Sequence, residues 1–305
     1  MLMALEPQAL DLIAPTITGS IQGAVYGLLG LGLVLLYKSN RIFNFAQAEF
    51  GTSAAFGTLF AANGTGFLPD MPLGLAVLFG LLVGVGIGLL TEFLVVRPLF
   101  SAPKVTLVVA TAGMALLLIA IQGFLSGAEP GNFPPLVAGD IVNTGAVRIT
   151  KQQGVIVTVL AVLAVASALF FSRTRTGTAI IAVSQEPTAT QLVGISVRRI
   201  SALTWGIAGF LGAVAGILLS GSNGIIAPGA LTGLALIPAF TAAVFGGITS
   251  LPGAFLGGVV IGIVESLAQA NISKDVLPGS GSVVLFVTLL VVLLLKPAGL
   301  LGKEA

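Results

Sequence analysis

The chain of 305 residues contains no cysteine and no histidine. Disulfides, thiol nucleophiles, imidazole acid–base catalysis and most zinc sites are excluded at once. Charge is scarce as well: 8% of residues are charged against 56% hydrophobic, and the mean hydropathy is +1.11. A soluble domain of this size needs far more charge to cover its surface. The pI of 9.2 rests on a net charge of only +2. No basic cluster with interleaved aromatics accompanies it, so nucleic acid is not an expected partner. The phosphate-cradling Gly-x-x-x-x-Gly-Lys-(Ser/Thr) loop is missing too, because Gly302–Lys303 is followed by Glu304.

Long uncharged runs are what the sequence has in place of charge. Stretches 12–37, 71–91, 105–128, 152–172, 200–264 and 276–295 carry no charged residue. About 20 apolar residues in a helix rising ~1.5 Å per residue cross a hydrocarbon core of ~30 Å. The runs are too long, and too poor in two-residue alternation, for barrel strands. The sequence therefore predicts an all-α integral membrane protein, a polytopic bundle of about 8–9 transmembrane helices forming one domain over residues 1–305. Spans are expected near 15–37, 45–62, 72–96, 105–126, 153–171, 201–220, 233–248, 252–270 and 281–296. The segment 233–248 is short and interrupted by Pro238, so it reads as a full span or as a re-entrant or broken one. Glu6 and Asp11 stand where a signal peptide would carry Lys or Arg, so the first apolar run is expected to be retained.

Basic loop residues set the expected orientation. With the N-terminus outside, Lys38, Arg41, Arg97, Lys104, Arg173, Arg175, Arg198, Arg199, Lys296 and Lys303 fall in the cytoplasm. Arg148, Lys151 and Lys274 fall outside, completing the 13 basic residues. The C-terminus is then cytoplasmic. Glycine is abundant, with 41 residues, and Gly23/Gly27, Gly80/Gly84/Gly88, Gly212/Gly216, Gly253/Gly257 and Gly258/Gly262 recur at four-residue spacing. That spacing lays a smooth stripe on one helix face, against which another backbone can pack closely. A faint likeness of 41–57 to 248–262 hints at internal duplication, a common property of transporters.

The segment 172–200 is too polar to span and too patterned for a slack linker. Thr178–Ser184 reads as one short helix; Pro187 suits the first turn of a second, which Gly194 ends as a left-handed cap. Ala182, Val183, Ala189, Leu192, Val193 and Ile195 give it an apolar side, opposed by Gln185, Glu186, Thr188 and Gln191. On pattern alone it is either an interfacial helix on lipid headgroups or a plug for a groove in a cytoplasmic partner.

Three motifs, in order along the chain, resemble those of the branched-chain amino acid ABC transporter permeases, and specifically the smaller of that family's two permease subunits. The first is RIFNFAQAEF at 41–50 and the last FTAAVFGGITSLPGAFLGGVVIGIVES at 240–266. Between them lies the family's cytoplasmic coupling loop, matched by Arg173, Arg175, Gly177, Ala182, Gln185, Glu186, Pro187, Ala189, Leu192, Gly194 and Ile195. Ala48 and Thr249 depart from glycines usual in the family. The resemblance implies a multi-pass permease of the bacterial inner membrane that pairs with a second, related permease. Two cytoplasmic ATPase subunits and an extracytoplasmic solute-binding protein complete such a machine. ATP and Mg are then bound by the ATPases, with no cofactor in this chain, and the segment 178–195 is the lever that couples ATPase closure to alternating access. The chain is not expected to be an enzyme.

Three acidic residues fall in or near the apolar spans. A charged carboxylate at mid-membrane costs at least ~2.5–3.5 kcal/mol on insertion scales, so each needs a partner or water. Glu92 reads as an interfacial pair with Arg97. Glu49 either pairs with Arg41 or Lys38 or serves the path, and Glu265 has no basic residue within a helical turn. An aliphatic amino acid needs an apolar route for its side chain and dipoles for its charged ends. Breaks at 44–51, 223–233 and 250–258 can supply such dipoles. The candidate translocation-path residues are therefore Asn44, Gln47, Glu49, Asn223, Ser250 and Glu265. Alternatives are the same machinery carrying urea, short amides or another small polar solute, and a stand-alone secondary transporter.

Overall fold

The computed structural model describes residues 7–65, 68–143, 148–273, 275–296 and 299–302. Glu6, Lys274, Lys303 and Glu304, used above, lie outside them. The chain opens with α1 (Pro7–Asn40), α2 (Gln47–Ala62), α3 (Leu73–Thr91) and α4 (Lys104–Ser126). It continues through α5 (Lys151–Arg173), α6 (Arg175–Gln185), α7 (Pro187–Leu192) and α8 (Val197–Asn223), and closes with α9 (Ile237–Gly246), α10 (Leu251–Asn271) and α11 (Ser280–Leu295). Short strands β1 (Gly131–Asn132), β2 (Asp140–Asn143), β3 (Arg148–Thr150) and β4 (Ile225–Ile226) pair antiparallel as β1–β4 and β2–β3. Among the described residues two π-helical turns interrupt the pattern, Glu92–Val96 after α3 and Thr232–Leu236 before α9.

Among the described residues, six helical stretches are long and apolar enough to cross a bilayer: Leu12–Asn40, Leu73–Val96, α4, α5, α8 and α10. The protein is thus a polytopic all-α membrane protein. The runs expected near 45–62, 233–248 and 281–296 are helical but shorter, with 16 residues in α2, 10 in α9 and 16 in α11. Pro238 does not end the helix: it sits in the first turn of α9, directly after the π-helical turn Thr232–Leu236, so the segment is continuous but irregular.

Local chemistry sets most of the ends. Thr150 and Gln153 form a reciprocal capping box at the start of α5. Ser196 caps α8 and Ser250 caps α10, each accepting from the N–H three residues on. Left-handed Gly127 and Gly224 end α4 and α8. The last carbonyls of α9 are satisfied from far along the chain: Leu300 N donates to Phe245 O (2.8 Å) and Leu301 N to Gly246 O (3.1 Å).

Packing is organised around α1 and α8. Gly19, Gly23 and Gly27 of α1 meet Gly262, Gly258 and Phe255 of α10 so closely that a Cβ at any of these glycines would fall on the opposite backbone. Gly84 and Gly88 of α3 meet Gly209 and Trp205 of α8 in the same antiparallel fashion, and Gly51 of α2 lies on Gly216. The sets α1–α2–α3 and α8–α9–α10 therefore each lend a third helix to grip the other's first, and they run in opposite directions, an arrangement that recurs in transporters.

The ends of the bundle differ. One gathers the cations: a single cavity brings Lys38 and Arg41 beside Ser172, Ser184 and Ser250, and another brings Arg41 beside Lys104 and Pro187. At the other end the strand pairs follow α4 and α8. The first is called the basic end below.

Candidate functional site

Two places carry chemistry: a polar junction inside the bundle at the start of α2, and the α6–α7 segment at the basic end.

The junction grows from the break between α1 and α2. Arg41 adopts φ 55°, a left-handed conformation that few side chains accept, and turns the chain. Asn44 then closes an Asx turn, its Oδ1 accepting from Ala46 N at 3.0 Å, and its Nδ2 donates to Gln47 Oε1 at 3.4 Å. Gln47 Nε2 donates to Ala208 O of α8 at 2.9 Å. Glycine at 32 and 212 makes room for that amide, since a Cβ at either would press on Gln47 Nε2. Two residues on, Glu49 Oε2 accepts from Gln122 Nε2 of α4 at 2.9 Å. The same amide donates to Ser53 Oγ at 2.9 Å, and Gln122 Oε1 accepts from Gly229 N at 3.1 Å. Thr111 completes the link, accepting from Phe45 N at 3.3 Å.

Asn44, Gln47 and Glu49 are all 0% exposed, and Glu49 Oε1 has no hydrogen-bond partner among the described residues. The expected pairing of Glu49 with Arg41 or Lys38 is not what forms; a neutral amide holds it instead. Leaving a buried carboxylate oxygen unpaired is costly.

The other expected residues lie apart. Glu265 sits in the α1–α10 seam, where Gln269 Nε2 donates to it at 3.2 Å, while Gln22 Nε2 donates to the Tyr26 hydroxyl at 2.6 Å. Ser250 caps α10 at the basic end, and Asn223 is exposed at the far end of α8. Glu92 pairs with Arg97 as expected, at 2.8 Å. The π-helical turn makes this possible: Arg97 N donates to Glu92 O five residues back, which stacks the two side chains on one face. Gln122, a lone amide within the apolar run of α4, is the residue that sequence reading passes over.

At the basic end, Thr174 caps α6 by accepting from Gly177 N at 2.9 Å; Pro187 starts α7, and Gly194 follows it at φ 85°. Ile180, Val183 and Thr190 are buried against the bundle, and Arg41 Nε donates to Ser184 O at 3.4 Å. Gln185, Glu186, Pro187, Ala189 and Gly194 are exposed, Ala182 and Ile195 half-buried. The apolar residues do not share one side, as the sequence pattern implied. Val183 anchors inward, whereas Leu192 and Val193 are 85% and 75% exposed. A cavity of about 550 Å³, lined by Glu92, Arg97, Gln191 and Arg198 among others, separates α7 from the π-helical turn.

Comparison with known proteins places this architecture. The family of branched-chain amino acid transport system permease components matches residues 16–294. The high-affinity branched-chain amino acid transport system permease protein BraD of Pseudomonas aeruginosa is 33% identical over 97% of this chain and 98% of its own. The corresponding permease LivH of Escherichia coli is 32% identical over 98% of both chains. A probable branched-chain amino acid transport permease of Methanocaldococcus jannaschii is 29% identical over 91% of this chain and 88% of its own. The chain belongs to the family of branched-chain amino acid transport system permease components.

Proposed function

We propose that this chain is the membrane-spanning permease subunit of an ATP-driven importer of branched-chain or related amino acids. It sits in a bacterial cytoplasmic membrane with its N-terminus outside and its basic end in the cytoplasm. A second related permease, two ATPase subunits and an extracytoplasmic binding protein complete the machine. The observation that carries this reading is the exposure of Leu192 and Val193 on a segment otherwise anchored to the bundle. Two aliphatic side chains held out between arginine pairs, at the polar end of a membrane protein, suit a groove in a cytoplasmic partner. The cavity behind α7 leaves space for that segment to move when the partner closes.

Alternating access then requires the bundle to exchange two packings. In the packing described, Asn44, Gln47 and Glu49 are sealed inside. The path opens when the start of α2 shifts from α8 and α4, exposing these polar groups to solute. Ser250, Asn223 and Glu265 belong to the same route at its basic end, its far end and its middle.

The test is uptake of radiolabelled leucine into proteoliposomes, with and without the partner ATPases and binding protein. Leucine uptake that strictly requires them supports the importer, and Leu192→Asp is expected to abolish it. Transport by this chain alone would sink the ATP-driven reading. Co-purification of the subunits without leucine movement would leave the machine standing and change the cargo. Wild-type uptake by Asn44→Ala and Gln47→Ala would remove both residues from the path.

A further inference from the structure

The largest cavity described lies at the basic end between α1, α5, α6 and α10, with a volume of about 790 Å³. Lys38, Arg41, Ser184, Gln185 and Ser250 supply its polar wall. Among the described residues no carboxylate lines it, and neither Lys38 nor Arg41 forms an ion pair. Arg41 is fixed rather than free: its guanidinium lies 6.0 Å from the Tyr37 ring centre and its Nε donates to Ser184 O. The positive end of α10, capped by Ser250, faces the same space. A held guanidinium, a second cation and a helix N-terminus in one concave site favour an anion.

A second cavity, of about 260 Å³, adjoins it and is lined by apolar atoms of Leu31, Val165, Phe255 and Leu256. Ala168, Leu251 and Pro252 belong to both walls, so the two spaces adjoin. Val165 and Leu256 are exposed, which opens the second cavity on the flank of the bundle, where α5 has little protein around it. A soluble anion would fill the first space and leave the second empty. An acidic surface of a docked partner would reach the cations but not the flank. A ligand with a phosphate head and an apolar tail satisfies both.

We propose that this double cavity is a binding site for an anionic phospholipid, with the phosphate held by Lys38 and Arg41 and one acyl chain lying in the cleft between α1, α5 and α10. The occupant bridges α1, the most buried helix, to the α6–α7 segment through Arg41 and Ser184. Lipid composition would thereby set how firmly that segment is held. The proposal requires that the chain spans a membrane and is independent of its cargo.

The test uses the full chain, purified and placed in phosphatidylcholine nanodiscs, titrated with fluorescent phosphatidylglycerol or fluorescent phosphatidylcholine. Preferential binding of the anionic lipid is expected, weakened about fivefold by each of Lys38→Gln and Arg41→Gln and restored by Lys38→Arg. Ala168→Phe adds bulk at the boundary the two cavities share and is expected to weaken lipid binding while leaving both cations in place. Each variant is first checked for monodisperse elution, so that a fold defect is not read as a binding defect. Equal binding of the two lipids, or undiminished selectivity in the double Gln variant, would overturn the proposal. So would competition by inorganic phosphate as strong as by whole lipid, which would mark a soluble-anion site. Cross-linking of residue 38 to an ATPase subunit rather than to a photoactivatable lipid in the assembled transporter would assign the cations to the partner instead.

Discussion

The helices α1 and α5 are both long and apolar, yet they solve opposite problems. In its most apolar stretch α1 is 89% buried inside the protein, whereas α5 is 11% buried. Glycines at 19, 23, 27, 30 and 32 let other helices lie directly on α1. Valine, leucine and phenylalanine cover α5, most of which faces away from the rest of the chain. In a bilayer the apolar effect does not separate inside from outside, because lipid tails are as apolar as leucine. Close backbone contact and polar links do that work, so the interior is recognised by small residues and amides, and the exterior by bulk.

Substitutions can break or sharpen this contrast. The largest effect is expected for Gly258→Leu, whose side chain would enter the backbone of α1 at Gly23 and Gly27. Overpacking costs roughly 1–3 kcal/mol and more where backbone meets backbone, so loss of monodisperse protein in gel filtration is the expected result. Val162→Arg, at the exposed centre of α5, comes next. Insertion of the isolated segment should weaken by roughly 2.5–3.5 kcal/mol in a translocon assay. Gln122→Ala removes the amide from Glu49, Ser53 and Gly229 together, and should lower thermal stability in detergent by roughly 1–3 kcal/mol. The smallest change is Gly113→Ala. A Cβ there meets nothing within 4 Å, so about 0.5–1 kcal/mol of stabilisation is expected in the same melt. If Gly258→Leu and Gly113→Ala behaved alike, the distinction between gripped and lipid-facing glycines would fail.

Much of this architecture is legible in the amino-acid order. Uncharged runs locate the long helices within a few residues, save the start of α1, because a membrane requires length and apolarity and little else. Expected at 15–37 and found at Pro7–Asn40, α1 overruns at its end because backbone hydrogen bonding continues through polar Lys38, Ser39 and Asn40, and it begins eight residues early, beyond the uncharged run. Pro187 and Gly194 mark the short helix of the basic end by their fixed and left-handed backbones. Relations over distance are not legible. Glu49 and Gln122 lie on different helices, and an amide in an apolar run announces no partner. The outward turn of Leu192 and the inward turn of Val183 depend on how α6 and α7 lean on the bundle. The nearness of Glu92 to Arg97 is visible in the sequence, but the π-helical turn that aligns them is not.

The hydrogen bonds from Leu300 and Leu301 to the end of α9 have a consequence for biosynthesis. Their acceptors are translated before α10 and α11, their donors after both. While those helices are being made, the last carbonyls of α9 have no tail to close on, in a setting where open backbone groups are expensive. This short helix is therefore expected to settle late, once the downstream strand of the clasp has left the ribosome. Nascent chains stalled before residue 300 should leave α9 more open to proteolysis than released ones.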